Sequence, residues 1–321
     1  MNRAGVLATA LAAMTFLALA GRVLPNWVLF LTTMAFAKGL VALGLVLLMR
    51  GGLVSFGQAL FYCAGAYSAG LVMRWTGASD ALLLLVLAGL AALVLALVIA
   101  PLLAGYRGIF FATLTLALSM IAYGVLNKTY SLGGSDGLNL RGPSYFGYAP
   151  PSPMAASYAL FLFTCAVTVS VAAFCRIHLD SMRGLLSLAA RDNEIRVEYL
   201  GASVRQVTLV NFVVAAGLAG VGGALAALTL GHIDPDFAFW TTSGEFVFLA
   251  ILAGHASVVA VFLSSMSLEL VRSYSSQYFP NSWQMALGIF LLLVILFLPE
   301  GLGSLLRWRR RAASMTSESS Q

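Results

Sequence analysis

Nine apolar runs follow one another, the first five with breaks of only a few residues: about 4–24, 27–49, 53–73, 81–104, 108–126, 157–175, 207–230, 243–271 and 283–298. A helix crossing a hydrocarbon core ~30 Å thick needs about 20 predominantly apolar residues, so most of these runs are the length of one crossing. The residues between them cannot cover such surfaces with water-facing groups. Of the 321 residues, 60% are apolar and 9% are charged, against roughly 25% charged in ordinary soluble domains. A soluble enzyme is excluded, and so is a disordered chain, which needs low hydrophobicity and high charge. The expected fold class is an all-α polytopic membrane protein with about ten transmembrane segments, some of them half-length. They form one domain over residues 1–311, followed by a disordered cytoplasmic tail at 312–321.

The net charge of +6 is no sign of nucleic acid, because basic residues of membrane proteins gather in cytoplasmic loops. That bias also sets the topology. The 243–271 run is long for one helix and short for two. If it makes two short passes turning near His255, the inside holds Arg3, Arg50, Arg107, Arg176, Arg183, Arg191, Arg196, Arg205, Arg307, Arg309, Arg310 and Arg311. The outside then holds Arg22, Arg74, Lys128, Arg141 and Arg272. A single pass would put Arg307 to Arg311 outside. The positive-inside rule therefore selects two passes, with both termini cytoplasmic. Half-length segments are acceptable where protein buries their ends. The first run ends in a cleavage-like Ala18-Leu19-Ala20, but its long apolar core leads straight into further spans and reads as a span itself.

Two stretches lie outside the membrane. Residues 127–156 carry Gly133-Gly134-Ser135-Asp136-Gly137 and four prolines, 143, 150, 151 and 153, and read as an ordered external loop. Residues 176–206 are rich in charge and must be cytoplasmic. Within them 183–201 reads as a helical segment, with Leu185, Leu188, Ala189, Ile195, Tyr199 and Leu200 at near-helical spacing and Gly201 at the position of a left-handed cap. The charged positions Arg191, Asp192, Glu194 and Glu198 take the remaining surface. A loop of this length exceeds what a connection needs. It either presents a docking surface or is a solvated helix without a partner.

Inside the spans, small residues mark packing faces. Ser55, Ala59, Cys63, Ala66 and Gly70 recur three or four apart, with Gly65 in the same segment, and Ala215, Ala219, Gly223 and Ala227 form a second stripe. Lipid offers no hydrophobic drive for helix association, so such faces serve close approach. Gln58 does not fit that account, since an amide in a span needs a partner helix or a hydrated path. Ser55 is three residues away and would share its helix face. Together with Thr113, Thr115 and Glu245 they are the candidates for a translocation path. Among ionisable residues, Lys38 and Glu269 lie deep and are expected to pair internally. Glu245 lies near the outer end of its segment, where it either snorkels or functions. His255 sits at the inner turn. Cys63, Cys165 and Cys175 read as small core residues without metal-ligand spacing. The sequence holds no phosphate loop, no histidine cluster for a metal and no nucleophile constellation; an enzyme is not expected.

Four blocks, in order and at fitting spacing, resemble the permease subunits of branched-chain amino acid ABC importers, on the LivM side of the LivH/LivM family. They are Gly51-Gly-Leu-Val-Ser-Phe-Gly-Gln-Ala-x-Phe followed by Gly65-Ala-Tyr; Gly108-Ile-Phe-Phe-Ala-Thr-Leu-Thr-Leu-Ala; Gly133-Gly-Ser-Asp-Gly-Leu; and Ala190-Arg-Asp-Asn-Glu-Ile-Arg-Val-Glu-Tyr-Leu-Gly. The resemblance covers about residues 27–305. It implies a type II ABC importer permease in the bacterial inner membrane. The cytoplasmic segment, with Arg191, Asp192, Asn193, Glu194, Glu198 and Gly201, would be the coupling helix docking on an ATPase subunit. The implied partners are a second homologous permease, two ABC ATPase subunits that hold ATP and magnesium, an external solute-binding protein and membrane lipid; this chain itself would hold no cofactor. The implied cargo is a branched-chain or other amino acid, with urea, short amides and organic or aromatic acids as alternatives. An ion-gradient transporter using Lys38, Glu245 or Glu269 is the competing class. One departure concerns the turn after the Glu-containing span. The family carries Gly-Gly-x-Gly-Ser-x-x-Gly-Pro there, whereas this chain has Leu252-Ala-Gly-His-Ala-Ser-Val-Val-Ala-Val-Phe and keeps only Gly254.

Overall fold

A computed structural model describes residues 3–254, 257–298 and 301–303 of the chain. His255, Arg307 to Arg311 and the tail expected at 312–321 lie outside the described residues. The elements in chain order are α1 (Arg3–Gly21), α2 (Asn26–Arg50), α3 (Gln58–Thr76), α4 (Ala81–Leu103), α5 (Gly108–Lys128), β1 (Leu138–Asn139), α6 (Pro153–Leu179), α7 (Met182–Asp192), α8 (Glu194–Tyr199), α9 (Val204–Leu230), β2 (His232–Ile233), α10 (Trp240–Ala253), α11 (Val258–Tyr278) and α12 (Trp283–Phe297). Among the described residues five helices, α2, α4, α5, α6 and α9, are long and apolar enough to cross a membrane by length and composition alone. With α1, α3, α10, α11 and α12 they make up the all-α membrane bundle.

The centre of the bundle is α9, packed on α2, α3 and α4. Its sequence explains the position. Ala215, Ala216, Ala219, Ala224, Ala226 and Ala227 have no exposed surface, and the glycines between them let neighbouring backbones touch. A Cβ on Gly223 would collide with the Tyr62 carbonyl of α3, and one on Gly65 with the Gly220 carbonyl of α9. Ala219 and Gly223, expected as packing residues, do pack here, and Gly65 faces them. Gly70 is also a contact glycine, but against Ile233 of β2. In lipid, van der Waals fit of this kind replaces the hydrophobic drive.

Two expectations need correction. The run from residue 53 does not begin a helix: α2 ends at Arg50, residues 51–57 are turn and extended backbone, and α3 starts only at Gln58. Ser55 therefore leaves the small-residue stripe, and the shared helix face with Gln58 does not exist. The 183–201 segment is not one helix either. It breaks at Asn193, whose extended backbone (φ −161°, ψ 104°) ends α7, while its side chain accepts from the Arg196 N–H to start α8. An Asx cap competes with helix continuation in just this way.

The long 243–271 run divides into two helices, α10 and α11. Ser257, in the connection between them, lines a crevice with Arg50, Arg176 and Asp180, so that turn lies at the same end as α7. The opposite end holds the 127–156 loop, which is ordered. β1 pairs antiparallel with β2 in the register Leu138↔Ile233 and Asn139↔His232. Asp80 caps α4 through the Leu82 and Leu83 N–H groups and accepts from the Phe146 N–H at 2.7 Å.

Replacing Gly223 by Val is expected to abolish monodisperse protein in detergent, because the new atoms meet backbone that cannot retreat. Gly288→Ala in α12, where a Cβ meets nothing within 4 Å, should be neutral or gain up to about 1 kcal/mol of helix propensity. Size-exclusion elution and thermal melting of both variants check the contrast.

Candidate functional site

Among the described residues two helix breaks run into the bundle, one from the α7 end and one from the opposite end, and both are tied to the middle of α5. The first is the 51–57 stretch before α3. The second follows β2: Asp234 to Phe239 run down into the bundle through a short 3-10 turn, Pro235–Ala238, before α10 begins at Trp240. Ser119, near the middle of α5, donates to the Ala238 carbonyl at 2.7 Å, which places the second break at mid-depth. Tyr62 of α3 stacks on Phe237 at 5.0 Å and meets Phe246 of α10 edge-on.

Irregular backbone at this depth survives only where protein or trapped water satisfies it. Here side-chain hydroxyls do so. Thr115 accepts from the Phe56 N–H, Ser55 from the Gly57 N–H and Ser243 from the Ala59 N–H, each at 3.2 Å. Thr115, Ser119, Ser55 and Ser243 are all buried. Of the path candidates, Ser55, Gln58 and Thr115 are thus brought together. Thr113 is not: it is exposed on the far face of α5 and bonds its own helix at the Ile109 carbonyl. Ser119 and Ser243 were missed in the sequence. The signal for Ser119 was its spacing of four from Thr115.

Gln58 stands apart from these satisfied groups. It has no exposed surface, and among the described residues neither its Oε1 nor its Nε2 has a hydrogen-bond partner. Leaving a buried polar group unpaired costs about 1–3 kcal/mol. The side chain is buried in this conformation without being satisfied by it.

Next to this layer lies a buried ion network. Lys38, in the middle of α2, is 2.9 Å from Glu269 of α11 and 3.5 Å from Glu245 of α10. Arg272, one turn from Glu269, pairs with Glu245 at 3.0 Å, and its guanidinium lies 5.0 Å from the Trp283 ring centre. Internal pairing was expected for both Lys38 and Glu269; that they are each other's partner is seen only in the structure. Glu245 does not snorkel: α10 is a half-length helix that starts inside the bundle, so the outer end of the segment is not the outer surface of the membrane. Glu245 belongs to the network rather than to the hydroxyl layer. Arg272, expected in the external region, is a residue of α11 and the fourth member. Two cations and two anions balance, which is what allows them to sit at this depth.

At the charged end, α7 and α8 lie against the bundle through small side chains. Gly184, Ser187, Ala190 and Val197 are buried, and a Cβ on Gly184 would strike the Leu179 carbonyl. The Asn211 amide of α9 donates to Ser187 Oγ at 2.5 Å and its Oδ1 contacts His178 of α6 at 3.2 Å. Arg107, just before α5, pairs with Glu194 at 3.1 Å and donates to Thr208 of α9 at 2.9 Å. Outward from this scaffold face Leu185, Leu188, Ile195, Tyr199 and Leu200, between 41% and 87% exposed. Arg191, Asp192, Asn193, Glu194, Glu198 and Gly201 are exposed with them, and Gly201 takes the left-handed backbone (φ +83°) expected of a cap. An open crevice of about 420 Å³ at the α6–α7 junction, lined in part by Phe174, His178 and Met182, continues the same surface. Among the described residues no group of three His, Cys, Asp or Glu could hold a metal.

Breaking the network on one side should be far worse than removing a neutral pair. Lys38→Met leaves Glu269 uncompensated and is expected to cost about 3–5 kcal/mol. Lys38→Met combined with Glu269→Gln should recover most of that loss, as read from thermal melting in detergent.

The model of the family described as branched-chain amino acid transport system, permease component, matches residues 27–298. The chain is 27% identical over 290 residues to the high-affinity branched-chain amino acid transport system permease protein LivM of Escherichia coli K12, covering 82% of this chain and 67% of that protein. It is also 27% identical over 300 residues to the LivM protein of Salmonella typhimurium LT2, with 85% and 69% covered. No solved structure matches it.

Proposed function

Because the chain belongs to the branched-chain amino acid transport system permease family, we propose that it is the membrane subunit of a bacterial inner-membrane importer. Separate ATPase subunits drive it, and its cargo is an amino acid, branched-chain ones first. The observation that carries the docking part of this reading is the outward apolar face of α7 and α8. Five large apolar side chains, rimmed by Arg191, Asp192, Glu194 and Glu198, stand on a scaffold of small buried residues. Such a patch on a structured element is what a partner surface requires. We assign it to two ATPase subunits docking below, one on this chain and one on a second, homologous permease, with an external solute-binding protein above.

Movement at that face reaches the spans through named contacts. Arg107 links Glu194 to the start of α5 and to α9, and the Ser187–Asn211–His178 chain links α7 to α9 and α6. The ATPase pair supplies energy by binding nucleotide with different affinity in its two states, the only way a ligand shifts such an equilibrium. The two breaks around Gln58 form the layer where the path opens, with Ser55, Thr115, Ser119 and Ser243 as the lining that turns over. Discontinuous helices at mid-membrane are the common location of transporter sites. The amino acid cargo is supported by the names of the relatives. Urea, short amides or organic acids stay as alternatives, since this chain lacks the family's Gly-rich turn after Gly254. An ion-gradient mechanism gains no support, because Lys38, Glu245 and Glu269 are neutralised within one network.

ATP-dependent uptake in vesicles holding the assembled subunits tests the whole reading; uptake unchanged without the ATPases would overturn it. Reversing Glu194 and Glu198 to Lys should lower ATP-coupled transport at least about tenfold, a loss of ~1.4 kcal/mol of coupling, while insertion persists. Gln58→Leu removes the unsatisfied amide and keeps the volume. It should leave the melting temperature equal or higher and reduce transport. Normal transport would remove Gln58 from the path.

A further inference from the structure

At the α7 end of the bundle, α2, α6 and the start of α11 enclose a crevice of about 130 Å³. Its walls are aliphatic, from Val46 and Leu179 among others, and its polar groups come from Arg50, Arg176, Asp180 and Ser257. Two of the three charges cancel: Arg176 Nε lies 3.3 Å from Asp180 Oδ2. The third does not. Arg50 is half-buried; among the described residues its guanidinium makes no ion pair within 4 Å or hydrogen bond, and it shares the one Asp180 carboxylate of the crevice with Arg176 at longer range. A second donor set points to the same ligand sign: Ser257 is the N-cap of α11, yet its side chain does not cap, so the first-turn N–H groups lack that acceptor.

Two guanidiniums facing a single carboxylate among hydrocarbon leave one net positive charge in the crevice, which calls for an anion. The crevice holds about four waters' worth of space at ~30 Å³ each, suited to one tetrahedral oxyanion. Arg50 is the last residue of the 25-residue apolar helix α2, so it stands at headgroup level. Net charge decides between sources. One uncompensated cation, with the Asp180 carboxylate on the same wall, matches a singly charged phosphodiester. A phosphate monoester carries about −1.5 to −2 at neutral pH, and its second charge would face Asp180. We propose that this crevice is a binding site for the phosphate of an anionic membrane lipid, with Arg50 as its principal ligand. In the orientation proposed above this is the inner leaflet, but the binding itself does not depend on that orientation or on the transport reading.

The test uses the full chain with its copurifying subunits, exchanged into detergent containing phosphatidylglycerol and examined by native mass spectrometry. The wild type should retain phosphatidylglycerol. Arg50→Gln should retain about fivefold less, the ratio equivalent to ~1 kcal/mol per basic residue near a lipid surface, and Arg50→Lys should fall between them. Melting of each variant is recorded beside it, and Arg50→Lys carries the test if Arg50→Gln does not fold. Inorganic phosphate, added alone to delipidated protein, should leave the wild-type melting temperature unchanged where phosphatidylglycerol raises it. Equal retention by wild type and Arg50→Gln would overturn the proposal. So would stabilisation by inorganic phosphate alone, which would make free phosphate the ligand. Loss of ATPase-subunit copurification in Arg50→Gln with lipid retention intact would overturn it too, since the counter-ion would then be a protein carboxylate.

Discussion

Everything in this bundle hangs on how closely α9 can be approached. Lipid gives apolar side chains no reason to leave it, so helices associate only where surfaces fit at short range. The alanine and glycine faces of α9 bring α2, α3 and α4 to backbone contact, as the Gly223–Tyr62 and Gly65–Gly220 approaches require. That fixes α2, whose membrane window is 89% buried within the chain. A buried α2 in turn forces Lys38 to find its counter-charge inside the protein, and Glu269 and Glu245 supply it from α11 and α10. The half-helix α10 is thus held at its depth by a charge that helix packing had already buried.

Much of this was legible in the sequence, and the misses share one cause. Apolar runs, charge bias and small-residue stripes located the apolar helices, the division of 243–271 into two helices and the packing of Ala219 and Gly223. That Lys38 and Glu269 would each find an internal partner followed from the cost of burying either alone, though not which partner. Hydropathy, however, does not report helix breaks. Leu53, Val54 and Phe56 are as apolar as any helical residue, so the non-helical stretch before Gln58 was invisible and Ser55 was placed on a face that does not form. The same blindness set Glu245 at the membrane surface: its depth depends on where α10 starts, and that depends on the descent of Asp234 to Phe239. Asn193 did carry a local signal, an Asx residue followed by the Arg196 N–H it caps, but the apolar spacing across it read as one helix.

The four-residue network is better regarded as two neutral pairs than as one cluster. Lys38–Glu269 joins α2 to α11 at 2.9 Å and Glu245–Arg272 joins α10 to α11 at 3.0 Å, while the cross contact Lys38–Glu245 is longer, 3.5 Å. Each pair stays neutral if the two separate slightly. A shift of α10 relative to α2 then strains only the weakest contact and never exposes a lone charge to the hydrocarbon, the outcome that carries the large penalty.

Stiffness is therefore unevenly distributed, and the unevenness has a direction. The α2–α9 centre is locked by backbone contact, which has no alternative arrangement at similar distance. The periphery is joined differently. Only 17% of the α5 window is buried, and its polar ties to the breaks are the single hydroxyls of Thr115 and Ser119. Hydroxyls rotate and accept new partners, including water, at little cost. At its other end α5 begins just after Arg107, which reaches Glu194 across the surface segment. On the proposed reading, a displacement at α8 acts first on the helix that is least tightly held, at the depth where Gln58 has an amide without a partner. Opening the layer between α5 and α3 would hydrate that amide and remove its penalty.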